Sequence, residues 1–94
     1  MNYEVLLLPL VDRDILRISD ALAGYPGKAK RLFHEIEKKL KILENIPYLC
    51  PVYQMKSKYR QMVLEDHLLF YRVDEEEKKV KVYRVLYSRM DGHS

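Results

Sequence analysis

The feature that most constrains this chain is a change of hydrophobic period near its middle. Ala29, Leu32, Phe33, Ile36, Leu40 and Leu43 recur at helical spacing, and the residues between them are nearly all charged. A stripe of that kind buries one face of a helix and leaves the other in water. After Asn45 and Pro47 the pattern stops, and from Val52 the chain becomes rich in Val, Tyr, Leu and Phe, broken at Glu65-Asp66 and at DEEEKK, residues 74 to 79. Such runs, bounded by turn residues, predict three strands of about 52–64, 67–73 and 80–88. Connections this short force an antiparallel meander.

The first quarter supplies what the stripe packs with. Tyr3 to Leu8 is a short apolar run closed by Pro9, and reads as a buried strand. Val11, Ile15, Ile18 and Leu22 then mark a second amphipathic helix, with Asp12, Arg13, Asp14, Arg17 and Asp20 at the remaining positions. Gly24 closes it, and GYPG, residues 24 to 27, reads as a turn before the next helix. The expected fold class is therefore α+β: an N-terminal strand, a helical hairpin, then a three-stranded antiparallel meander. The hairpin covers one sheet face, and residues 1–94 form one domain, because a second core needs roughly 50 more residues.

Alternation along the meander sorts the strand residues into two sets. One holds Tyr59, Gln61, Val63, Leu69, Tyr71, Val73, Tyr83, Val85 and Tyr87; the other holds Arg60, Met62, Leu68, Phe70, Arg72, Val82, Arg84 and Leu86. Three arginines among large apolar groups suit neither a clean core nor a plain solvated surface, so the second set is the candidate functional face. The acidic run Asp74 to Glu77 is expected to be a solvated hairpin tip that also discourages edge pairing.

Composition removes several classes of function. Cys50 is the only cysteine, so no intrachain disulfide forms and a reducing compartment is expected. The start lacks a basic n-region, and nowhere do about 18 apolar residues run together, which argues against a membrane span and for the cytoplasm. A net charge of +3 permits an anionic partner. The basic residues are spread over both halves, so any basic site must be made by folding.

The stretches YRQMV (59 to 63), DHLLFYRVDEEEKKV (66 to 80) and RVLYSRMD (84 to 91), in this order of elements, resemble the RelE/ParE superfamily of toxins from bacterial type II toxin–antitoxin pairs. The resemblance spans nearly the whole chain. It implies one of two activities, ribosome-dependent cleavage of mRNA or poisoning of DNA gyrase without catalysis, and a cognate antitoxin protein that masks the toxin in a hetero-oligomer. A homodimer, or a detoxified homologue that keeps only its antitoxin-binding groove, are further readings. RelE-type nucleases have basic residues on the first meander strand; Arg60 matches one, with Lys56 and Lys58 beside it, whereas Met62 and Leu68 stand where further basic residues belong. The gyrase-directed branch commonly has His and Gly where this chain has Tyr87 and Ser88. The tail YSRMDGHS resembles YafQ-like nucleases: Arg89 and His93 have that branch's spacing of four, and Asp66 matches an acidic position.

The tail shifts the expectation toward a ribonuclease. Attack of a 2′-hydroxyl on its phosphate needs a base, an acid and cations on the phosphate oxygens. His93 is then the expected proton carrier, because an unperturbed imidazole titrates near neutrality. Arg84, Arg60 and Asp66 complete the candidate catalytic set, and Lys56, Lys58, Arg89 and Tyr87 the candidate RNA-binding set, with Tyr87 available to stack on a base. Neither a metal nor another cofactor is needed by this scheme.

Overall fold

Prolines set where both helices begin. In the computed structural model, which describes residues 2–88, α1 (Pro9–Ala21) and α2 (Pro26–Asn45) each carry a proline in the first turn. There its missing N–H has no intrahelical partner to lose and its fixed φ favours the helix. GYPG is thus partly helical: Tyr25 caps α2, while Pro26 and Gly27 belong to it.

Strand β1 (Glu4–Leu7) precedes the helices, and β2 (Arg60–Leu64), β3 (His67–Asp74) and β4 (Lys79–Tyr87) follow them. They form a four-stranded mixed sheet in the order β1-β4-β3-β2. The meander is antiparallel as expected, and β1 joins it in parallel with β4, running from Glu4 opposite Lys79 to Leu7 opposite Val82. The helical hairpin makes this parallel pairing possible, because it carries the chain from β1 across to β2 at the far edge, and the two reversals of the meander then bring β4 back beside β1 in the same direction. α1 lies along β4, and α2 packs against β1 and β2.

The first meander strand is shorter than expected. Residues 54–59 form turns, and Val52 retains a single antiparallel bridge to Arg60. The loop closes on itself through Tyr53 N–H to the Tyr59 carbonyl at 2.8 Å and Tyr59 N–H to the Lys56 carbonyl at 3.0 Å.

The face assignment also needs correction, for two register reasons. Arg60 lies opposite Tyr71 and Met62 opposite Leu69, so Arg60 and Met62 share the face that carries the core. In β4, Phe70 pairs with Arg84 but Tyr71 pairs with Val82, leaving Tyr83 as an extra residue in a bulge. One extra residue reverses the alternation beyond it. Val80, Val82 and Val85 therefore all enter the core, while Phe70, Arg84 and Leu86 leave the sheet from the other face, from which the Arg84 guanidinium reaches back to α1. The core is completed by Val11 and Ile18 of α1, Leu32, Ile36 and Leu43 of α2, and Leu64, Leu69 and Tyr71 of the sheet.

Candidate functional site

The residues expected to act together are divided by the sheet. Arg60 is on the helix-bearing face, where Nη1 donates to the Cys50 carbonyl at 2.7 Å and the guanidinium lies 4.9 Å from the Tyr48 ring centroid. Tyr71 closes the same corner: its hydroxyl, fully buried, donates to the Pro47 carbonyl at 2.8 Å and accepts from the Cys50 N–H at 3.3 Å. Burial raises its pKa, so the hydroxyl stays a donor at any ordinary pH. Arg60 thus holds the segment leading into β2, on the side opposite Arg84.

Arg84 is bound to a residue that the helical pattern conceals. Asp14 lies three residues after Val11 and four before Ile18, hence on the apolar stripe of α1, and it is fully buried. Beyond Leu7, β1 no longer covers the edge of β4, and the Asp14 carboxylate takes its place by accepting from the Val85 N–H at 2.9 Å. Arg84 donates to both its oxygens, from Nε at 2.9 Å and Nη2 at 3.0 Å, and Arg17 Nη2 donates to Oδ1 at 2.9 Å. Burial pushes the Asp14 pKa up, but the Arg84 hydrogen bond, the Val85 amide, the Arg84 charge and the Arg17 bond together outweigh it and leave it lowered. Asp14 is an anion here.

On the face away from the helices, Arg84 and Lys56 border a cleft of about 270 Å³ whose walls include Tyr53, Tyr59, Phe70 and Tyr83. Tyr59 meets Tyr83 and Tyr53 meets Phe70 edge to face, each with centroids 4.9 Å apart. Lys58 sits over the Tyr59 ring at 5.5 Å. Lys56, Lys58 and Arg84 are therefore grouped by the fold around aromatic rings. The tyrosines among them gave no motif beforehand, because the bulge at Tyr83 and the loop return at Tyr53 bring them together.

Asp66 and Tyr87 stand elsewhere. They line a second cleft at the end of the sheet, of about 290 Å³, between the last turns of α1 and the first turn of α2. Asp66 is half-exposed, its carboxylate 3.6 Å from Lys28 Nζ, and its carbonyl accepts from the Ser88 N–H at 2.7 Å. Tyr87 lies edge to face on His67, with centroids 5.5 Å apart. His93 and Arg89 lie outside the described residues. Among the described residues no group of His, Cys, Asp or Glu is placed to hold a metal ion, and no helix is long and apolar enough to cross a membrane.

This arrangement, a helical hairpin laid on one face of a small mixed sheet, recurs in solved structures. A chain of the chromosomal ParDE toxin–antitoxin system from P. aeruginosa superposes with a TM-score of 0.75 at 18% identity, covering 90% of this chain and 95% of that one. A chain of the RelBE2 toxin–antitoxin complex from Mycobacterium tuberculosis gives 0.67 at 18% identity, covering 93% and 99%. Residues 5–92 match the family described as the ParE toxin of type II toxin–antitoxin systems, parDE, and the chain belongs to that family. No curated protein sequence matches it.

Proposed function

We propose that this toxin acts by binding a protein target, DNA gyrase, and does not itself cut RNA. The supporting observation is that Arg60 and Arg84 do not converge: a phosphate clamp needs both guanidinium groups on one surface, but the two leave the sheet from opposite faces, and Arg60 is held at the Cys50 carbonyl while Arg84 is held by α1 at Asp14. Membership in the ParE family points the same way, since the ParE resemblance implies a gyrase-directed poison. The protein is held silent by a cognate antitoxin, the kind of assembly in which its structural neighbours occur.

Ribosome-dependent cleavage of mRNA is the second reading, and the cleft of Tyr53, Tyr59, Tyr83, Lys56 and Arg84 favours it. Aromatic rings beside cations are what a single-stranded nucleic acid seeks. In that reading His93 remains the proton carrier and Arg89 a phosphate contact. A supercoiling assay with purified gyrase, run beside 5′-end mapping of RNA in a translating extract, decides between them. The expected result is lost supercoiling with intact mRNA; mRNA cut near the ribosomal A site with gyrase still active overturns the proposal. In the latter case His93→Ala tests the tail directly.

A further inference from the structure

The cleft at the end of the sheet holds Asp66 and Tyr87 but lies apart from Arg60, Arg84 and Lys56, and it is built like a recognition site of its own. Ile18, Ala21 and Leu22 give it an apolar wall, and Arg17 and Lys28 stand beside them with side chains 46% and 45% exposed. Asp14 holds Arg17 in place through its Nη2. His67 also lines the cleft, only 7% exposed, and among the described residues no hydrogen bond reaches its ring. Its ring nitrogens are not sealed off either, because every fully buried side-chain nitrogen among the described residues has a partner. The unpaired imidazole is thus part of the cleft wall and within reach of an occupant.

We infer that this cleft docks an acidic peptide segment of a partner protein, taking an aliphatic side chain against Ile18 and Leu22 and an adjacent carboxylate between Arg17, Lys28 and His67. Volume and charge both select that occupant. About 290 Å³ is at the lower edge of the range for small-molecule sites and has room for one or two side chains. Arg17 shares the single charge of Asp14 with Arg84, and Lys28 lies against Asp66, so three cations meet two carboxylates and a surplus of one positive charge remains, in a chain that carries +3 as a whole. A phosphodiester would gain little from the apolar wall, whereas an acidic peptide uses both parts.

The docking is coupled to protonation. His67 is held below its ordinary pKa of 6.5 chiefly by burial, with Lys28 acting in the same sense and Asp66 and Glu65 in the opposite one. Around it stand Arg17 from α1, Lys28 from α2, Asp66 in the β2–β3 turn and Tyr87 from β4. A carboxylate arriving at the ring raises its pKa, so binding takes up a proton and tightens as the pH falls below neutrality.

The test needs neither gyrase nor a ribosome, so its outcome is independent of the target. The full chain is titrated with acetyl-Glu-Leu-Leu-Glu-amide and with its Gln-Leu-Leu-Gln counterpart, following side-chain NMR signals. The acidic peptide is expected to shift Ile18, Leu22 and His67 together and to bind about two- to fivefold tighter than the amide peptide, the scale of a half-exposed charge pair. Binding should tighten as the pH falls through the lowered range of His67, below its ordinary 6.5, and His67→Gln should abolish that dependence while Lys28→Gln weakens binding at every pH. Equal binding of the two peptides, shifts mapping away from the cleft, or tighter binding of the dinucleotide uridylyl-uridine there would each overturn the inference.

Discussion

Two carboxylates tie loose parts of this fold together, and they differ in one respect. Asp14 gathers Arg17, Arg84 and the Val85 amide; Glu75 gathers the hydroxyls of Tyr3 and Tyr48 and the ammonium of Lys78. Each has three donor residues, and each joins segments far apart in sequence. Asp14 is fully buried and Glu75 is half-exposed. The same coordination therefore has very different consequences: water can replace the donors of Glu75, but nothing can replace those of Asp14.

The largest effect should come from removing the buried member. Asp14→Ala leaves the Val85 N–H unpaired and puts two arginines side by side without their anion, which should destabilise the chain by about 3 kcal/mol. Asp14→Asn keeps an acceptor and should lose less. Denaturant midpoints of the two variants check both statements. An Asp14→Ala protein as stable as the parent would remove the distinction between the two carboxylates.

Acid makes the same comparison without mutation. The folded-state pKa of Asp14 lies below its ordinary 3.8, so its stabilisation is fully present above that value and is lost as the pH falls through the lowered one. Glu75 is lowered too, first by Tyr48, then by Lys78 and Tyr3, but its exposure makes its share small. Stability below pH 4 should therefore fall more gently in Asp14→Asn than in the parent, with Glu75→Gln indistinguishable from it. Parallel acid curves for Asp14→Asn and the parent would contradict this.

A smaller loss is expected at Tyr71. Tyr71→Phe keeps the ring in the core but leaves the Pro47 carbonyl and the Cys50 N–H without their shared hydroxyl, for about 1–2 kcal/mol. Chemical denaturation gives the number. No measurable loss would mean that water serves the loop equally well, as it can at Glu75.

Much of the fold can be read from the sequence because its signals are periodic. Val11 and Ile18, and Leu32, Ile36 and Leu43, sit in the core as their stripes require, and β3 and β4 lie close to where alternation places them. What escaped reading depends on single residues. The bulge at Tyr83 reverses the side of everything after it, and no glycine or proline marks the position. Asp14 sits on the apolar stripe, but its polarity removes it from a count of apolar residues. The candidate site suffered most, because Arg60 and Arg84 share a surface only if the alternation is unbroken and β2 keeps the assumed register. Lys56, expected beside Arg60, lines a cleft with Arg84 instead, because residues 54–59 form turns rather than strand.

The smallest expected effect lies at the exposed carboxylate, where it is best read as a titration. The hydrogen bond to Glu75, with lesser help from burial and from the Glu75 charge, pushes the Tyr48 hydroxyl up to about 12. A raised pKa means that the bond contributes below the ordinary value of 10.0 and fades as the pH rises from there through the folded value. Tyr48 is 46% exposed, so the melting temperature of Glu75→Gln should differ from the parent by only about 1 °C at neutral pH. The phenol itself should respond clearly, with its pKa falling back toward 10. With eight tyrosines in the chain, the signal must be isolated by ring-labelled NMR, using Tyr48→Phe to assign it. If Glu75→Gln left the Tyr48 titration where it was, the shared carboxylate would not be what links β1, the α2–β2 loop and the hairpin tip, and Asp14 would stand without a counterpart.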